Sequence, residues 1–222
     1  MDIKQLKKIK GILFDLDGTL VSNDGIQEES ILKTFDFFNI NIPLEEFPKR
    51  FTGKGLPQIE RELIKEFDLD IKEGGIREKR KEIIVKLLSE KKTKCTYFAK
   101  EIIEFLNTKY PLAICSAGEK EEVHLKLKNN DLLKYFKKVI TAQDVERSKP
   151  YPDIYIKGAL ELGLSPKECL AFEDTVTGLV AAKEAGTICF VIPSRIDNIQ
   201  DFSLADKVLE TLKDAYNILK SI

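Results

Sequence analysis

Six side chains suited to holding a phosphate or a hard cation stand at the ends of short apolar runs. Asp15 and Asp17 follow Gly11-Ile12-Leu13-Phe14. Ser116 closes a run from Pro111 and precedes Ala117-Gly118. Lys149 stands before Pro150, beyond the run 138–141, and Glu173-Asp174 ends the run that starts at Cys169. An acid buried at a strand tip is costly unless a cation or a reaction needs it there. Four carboxylates converging on one point would raise one another's pKa values unless a cation neutralised them. Magnesium suits that role, because it takes oxygen ligands and keeps positions for water and phosphate. The Ser116 hydroxyl, backbone N–H groups near Ala117 and the Lys149 ammonium would then hold an anion's oxygens. A carboxylate nucleophile, an acid/base carboxylate, a divalent cation and an anion clamp together make a phosphoryl-transfer site.

Each element also has a blander reading. Asp15-Leu16-Asp17-Gly18 reads as a turn, Ser116 as a helix N-cap and Glu173-Asp174 as a solvated strand end. Their placement at successive strand ends decides for the site. Strand alternation would aim Asp15 and Asp17 at opposite faces. Both serve one site only if the strand stops at Asp15 and the backbone curls, which Gly18 eases.

The elements that must position these groups alternate. Strand-like runs cover residues 11–15, 111–116, 138–141, 169–173 and 188–193. Helical patterns cover 100–107, 119–130, 153–162 and 177–185, with Gly186 as a C-terminal stop. Ser165-Pro166-Lys167-Glu168 has capping-box spacing and predicts a single turn before the fourth strand. The alternation predicts an α/β fold: a doubly wound, Rossmann-like parallel sheet covered on both faces. In such sheets, ligands bind beyond the carboxyl ends of the strands. Residues 21–93 break the pattern, with Ile31, Phe35 and Phe38, then Leu56, Ile59, Leu63 and Phe67, then Ile76, Ile83, Leu87 and Leu88 at helical spacing. This predicts a small helical domain at 21–93, inserted into a core made of 1–20 and 94–222.

The chain has 222 residues, 43% hydrophobic and 33% charged, which describes an ordinary globular protein. Its net charge of −1, from 36 basic and 37 acidic residues, gives no reason to expect nucleic acid or an anionic membrane surface as partner. No apolar run approaches a bilayer-spanning length, and Asp15 interrupts the first one well short of a signal-peptide core. A cytoplasmic address follows by elimination, with a monomer or weak homodimer expected. Cys95, Cys115, Cys169 and Cys189 form no C-x-x-C pair and read as reduced thiols. His124, the single histidine, sits in a lysine-rich stretch that reads as a surface helix, and one histidine excludes a multi-histidine zinc site.

The four segments resemble the motifs of the haloacid dehalogenase-like hydrolase superfamily, in its helical-cap subgroup of the phosphoglycolate phosphatase and β-phosphoglucomutase type. Asp15-Leu16-Asp17-Gly18-Thr19-Leu20 resembles the first motif and Ile114-Cys115-Ser116-Ala117-Gly118 the second. Ser148-Lys149-Pro150-Tyr151-Pro152-Asp153 resembles the third, with Ser148 where glycine is common. Glu173-Asp174-Thr175, followed by Gly178, Ala181-Ala182 and Ala185-Gly186, resembles the fourth, with Thr175 where serine is common.

The resemblance implies that Asp15 attacks phosphorus and that Asp17 protonates the leaving oxygen, then activates the hydrolytic water. It implies Mg2+ held by Asp15, the backbone carbonyl of Asp17 and Asp174, with Glu173 in or just behind that set. Ser116, Ala117 and Lys149 would hold the phosphoryl oxygens. The inserted helical domain would close over the site as a cap and select the substrate. Within it, the basic, glycine-containing loop Arg50-Phe51-Thr52-Gly53-Lys54-Gly55 reads either as a substrate contact, with Arg50, Gly53 and Lys54 as specificity candidates, or as a simple turn between helices.

The expected function is a magnesium-dependent phosphatase acting on a small phosphorylated metabolite, sugar phosphates included. The alternative is a sugar phosphomutase of the β-phosphoglucomutase type. The hinge histidine of that family has no counterpart in residues 21–44, which argues against it. A non-catalytic protein on the same fold is expected to have lost a motif carboxylate, and Asp15, Asp17 and Asp174 are all present.

Overall fold

The computed structural model describes residues 6–22, 25–46, 50, 56–91, 93–194 and 201–221. They fall into two compact units, Asn23–Lys92 and the combination of Met1–Ser22 with Thr93–Ile222.

The inserted unit holds helices α1 (Ile26–Phe37), α2 (Leu56–Glu66) and α3 (Gly75–Glu90). Phe35, Ile59, Leu63 and Ile76 meet Ile40 and Ile42 in its core. The spacing anticipates Ile83 on the buried face of α3, but the helix turns Ile84 inward instead and leaves Ile83 half-buried. Gly74, at the start of α3, has no side chain to cap the helix. Glu60 of α2 supplies the acceptor. Its Oε1 takes the Ile76 N–H at 2.8 Å and its Oε2 takes Arg77 Nε at 2.7 Å, so a buried carboxylate meets the positive end of α3.

The core unit holds strands β1 (Gly11–Phe14), β2 (Leu112–Cys115), β3 (Lys138–Ile140), β4 (Cys169–Glu173), β5 (Ile188–Val191) and β6 (Lys207–Val208). They form one parallel sheet in the order β3-β2-β1-β4-β5-β6. β1, β2 and β4 are buried along their whole lengths, which is why they appear in the sequence as unbroken apolar runs.

Helices α4 (Ala99–Asn107), α5 (Lys120–Asn129) and α8 (Leu212–Lys220) cover one face, where Phe14 stacks on Phe172 at 4.8 Å between ring centroids. Helices α6 (Asp153–Glu161) and α7 (Val176–Ala185) cover the other, against Leu13, Ala113 and Ala171. The chain runs outward from β1 through β2 to β3, then crosses back to β4 on the other side of β1. The strand order therefore reverses beside β1, where open α/β sheets bind ligands.

The expected strands and helices are present within a residue or two at most ends. Ser165 and Glu168 make the anticipated capping box over a 3-10 turn, and Gly186 ends α7 at φ 89°. β6 and α8 lie beyond the anticipated elements. Asp206 ties β6 to β5 by accepting from Cys189 N at 2.8 Å and Lys183 Nζ at 2.6 Å. Where the chain leaves the core, Ser22 N–H donates to the Lys94 carbonyl and Val21 bridges Cys95, so outgoing and returning segments pair. All four cysteines are free, and three are buried. Among the described residues no helix is long and apolar enough to cross a membrane.

Candidate active site

β1 ends at Phe14, and Asp15 still donates its N–H to the Phe172 carbonyl of β4 at 2.9 Å. The backbone then curls. The N–H groups of Leu20 and Val21 donate to the Leu16 carbonyl, and Gly18 N–H donates to that of Val21. Gly18 sits at φ 86°, and a Cβ there would collide with the Asp174 carboxylate. Glycine is thus required both by the turn and by the acid packed against it.

Asp15, Glu173 and Asp174 converge, each offering an oxygen within 4.8 Å of the others. Lys149 stands among them with a side chain only 5% exposed, its Nζ donating to Asp15 Oδ1 at 2.5 Å and to Glu173 Oε1 at 2.6 Å. Glu173 is fully committed: Oε1 also accepts from Tyr155 Oη at 2.5 Å, and Oε2 accepts from Asp174 N at 3.2 Å and Thr175 Oγ1 at 3.3 Å. Its carboxylate fills the space over Gly178 of α7, which any side chain there would invade. Asp15 Oδ2, in contrast, is buried and has no hydrogen-bond partner among the described residues.

These placements set the electrostatics. Burial pushes the Asp15 carboxyl well above its usual range, against the pull of Lys149. Burial, then the neighbouring Glu173, lifts Asp174 to about 7. Burial pulls the Lys149 ammonium down, but Asp15 and Glu173 outweigh it and hold the group above its ordinary value. Three acids around one ammonium leave negative charge in excess. An orphaned buried carboxylate oxygen within an all-oxygen donor set fits a hard divalent cation such as Mg2+.

Ser116 is buried at the end of β2, and its Oγ accepts from Gly118 N–H at 3.1 Å. It is not the helix cap that it reads as in isolation, since α5 starts beyond Glu119. Ala117 is exposed beside it. Asp17 lies apart from the three-acid group. Its Oδ1 accepts from Lys126 Nζ of α5 at 2.5 Å, and burial raises its carboxyl while Lys126 opposes that. Arg50 belongs to the inserted unit, where it donates to Glu66 of α2. Gly53 and Lys54 lie outside the described residues.

The sequence profile of the haloacid dehalogenase-like hydrolases matches residues 12–192. The chain belongs to this family. It is 30% identical over 211 residues to YhcW of Bacillus subtilis, a protein provisionally named a phosphatase, with 93% of each chain covered. It is 26% identical over 221 residues to the phosphorylated carbohydrates phosphatase of Thermotoga maritima, covering 96% of this chain and all of that one. The solved structure of CbbY from Rhodobacter sphaeroides in complex with phosphate superposes with a TM-score of 0.82 at 25% identity, covering 96% and 99% of the two chains. Membership makes the chain a hydrolase, and the two relatives named for an activity are named as phosphatases.

Tyr155, Lys126, Glu122 and Ser194, which hydrogen-bonds Asp174, were not legible as site residues. Lys126 and Glu122 carry the one usable signal, because they stand four apart beside the apolar pair Val123 and Leu127. The anticipated surface helix instead buries both charges.

Proposed function

We propose that the chain is a magnesium-dependent phosphatase that hydrolyses a small phosphomonoester through a phosphoenzyme on Asp15. The observation that carries this reading is the buried ion pair of Asp15 with Lys149, set beside a carboxylate oxygen with no partner among the described residues. Lys149 opposes the burial that raises the Asp15 carboxyl, and with a cation beside them the two positive charges would hold Asp15 anionic, as a nucleophile must be.

Asp15, the Asp17 carbonyl and Asp174 would hold Mg2+. Glu173, with both oxygens committed, would stand behind them as the anchor of Lys149. When bound, the cation neutralises charge on the phosphoryl oxygens and aligns them for in-line attack. The Asp15 carboxylate forms a bond to phosphorus as the ester P–O bond breaks, and the leaving alkoxide takes a proton from Asp17. Asp17 then takes a proton from water as that water attacks phosphorus, releasing phosphate and restoring Asp15. Ser116 and the N–H groups beside Ala117 receive the phosphoryl oxygens. Residues 21–93 act as the cap that selects the leaving group. The Thermotoga maritima relative, named for phosphorylated carbohydrates, supports these as the first substrate class to try.

The test is release of phosphate from a panel of sugar and alcohol phosphates with and without Mg2+, in the wild type and Asp15→Asn. Mg2+-dependent turnover lost in the variant supports the reading. A wild type inactive on the whole panel removes it, and interconversion of a hexose 1-phosphate and 6-phosphate would reassign the chain to the mutases.

A further inference from the structure

Lys126 and Glu122 form a buried ionic pair that the reaction described above does not use. Their side chains are 3% and 5% exposed, and Lys126 Nζ bridges Glu122 Oε1 at 2.6 Å and Asp17 Oδ1 at 2.5 Å. A buried ion pair is a poor way to stabilise a helix, since apolar residues of similar size do as well or better. The stripe of α5 that carries it is otherwise held by packing. Val123 and Leu127 enter the core on either side, and Asn130 Nδ2 donates to the Lys126 carbonyl at 2.9 Å. The ammonium is thus fixed in place, with its charge spent on two acids rather than on solvent.

What it fixes is the orientation of Asp17. With Oδ1 drawn toward α5, Oδ2 lies over the turn after β2, 3.9 Å from where a Cβ on Gly118 would stand. Ser116 Oγ lies 3.3 Å from the same point. The free oxygen of Asp17 therefore faces the turn that carries the anion-holding hydroxyl. Without Lys126, rotation about the Asp17 side chain would exchange the two oxygens or swing the carboxylate toward the three-acid group.

We propose that Lys126 is a positioning residue that commits Asp17 Oδ1, so that Oδ2 alone exchanges the proton with the leaving oxygen, and that Glu122 holds Lys126 in turn. This rests on the reading of Asp17 as the acid that protonates the leaving group. The proton passes from Asp17 Oδ2 to the departing alkoxide, and Lys126 keeps all of its own.

The test compares kcat/KM, which reports the step in which the leaving group departs, for β-glycerophosphate and p-nitrophenyl phosphate. The first leaving group needs a proton and the second does not. Lys126→Met lowers kcat/KM more than about tenfold for the alkyl ester and less than about threefold for the aryl ester, a split within the range of general acid catalysis. In an Asp17→Asn background the same change adds nothing. If Lys126→Met fails to fold, the pair Lys126→Met with Glu122→Leu removes one of the two acids that lose the ammonium, leaving only Asp17, and must give the same split. Equal losses on both esters, or losses that add to those of Asp17→Asn, overturn the proposal while leaving the phosphatase intact. A wild type inactive on both esters overturns the phosphatase reading and this proposal with it.

Discussion

Tyr155 Oη donates to Glu173 Oε1 across 2.5 Å, and neither residue has any exposed surface. The phenol comes from α6, the acid from the end of β4, and the oxygen between them also receives Lys149. Tyr155 thereby fixes an acid that fixes a cation that fixes Asp15. The chain of contacts runs from a helix interior to the proposed nucleophile, and each link can be cut separately.

Replacing Tyr155 with Phe removes one hydrogen bond to a buried charge but leaves Glu173 Oε1 its contact with Lys149. The expected loss is about 1–2 kcal/mol of stability with a fall in kcat below about tenfold. Denaturant unfolding alongside steady-state kinetics reads both, and an unchanged stability would mean that the phenol carries no load.

Lys149→Met leaves three buried acids with no ammonium among them. Breaking a buried pair from one side costs about 3–5 kcal/mol, because the partner charge stays behind. The metal-free variant should therefore unfold at markedly lower denaturant than the wild type. Lowering the pH should recover part of the difference by protonating the acids, and turnover should be lost at every pH.

The metal-free protein should lose stability as pH rises. Asp174 gives up its proton at about 7 in the folded chain, against an ordinary 3.8, and Asp15 is shifted in the same direction. Between those values the folded state binds more protons than the unfolded one, so the free energy of unfolding falls with increasing pH. Mg2+ must displace those protons. Its stabilising shift in melting temperature should thus grow from pH 5 to pH 8, with protons released on binding, and a shift that shrinks over that range would contradict the site.

Gly178→Ala sets two effects against each other. Alanine favours a helix interior over glycine by about 1 kcal/mol. A Cβ here, however, would occupy the space of the Glu173 carboxylate. Moving that carboxylate disturbs Lys149 and Tyr155 together, so the steric cost wins and the variant should be both less stable and less active. A more stable, fully active variant would show that Glu173 has room to shift.

Much of this was legible before the structure, and the division has a physical cause. Acids and a hydroxyl at strand ends interrupt apolar runs, so Asp15, Ser116, Glu173 and Asp174 announce themselves, while Lys149, in the polar segment beyond β3, is picked out by its motif beside Pro150. Tyr155 and Lys126 sit inside helices, where a tyrosine reads as core and a lysine as surface until the helix's rotation is known. β6 is only two residues long, too short for any periodicity. The helix α8 was readable: Thr211 and Asp214 make a capping box, and Leu212, Ala215 and Leu219 mark its buried side. Glu173 was expected in or just behind the cation's ligands, and only its hydrogen-bond inventory separates those positions.

That separation is open to a direct comparison. Asp174 leans on Ser194 and faces the convergence point, whereas both oxygens of Glu173 are taken by Lys149, Tyr155, Thr175 and the Asp174 N–H. Asp174→Asn removes a charge that would bind the cation, so the Mg2+ concentration at half-maximal activity should rise by about tenfold or more. Glu173→Gln keeps the shape and one acceptor while loosening Lys149. It should lower kcat with a much smaller change in the Mg2+ midpoint. Titrating activity with Mg2+ in both variants decides the matter, and an equal rise in midpoint for the two would place Glu173 among the ligands.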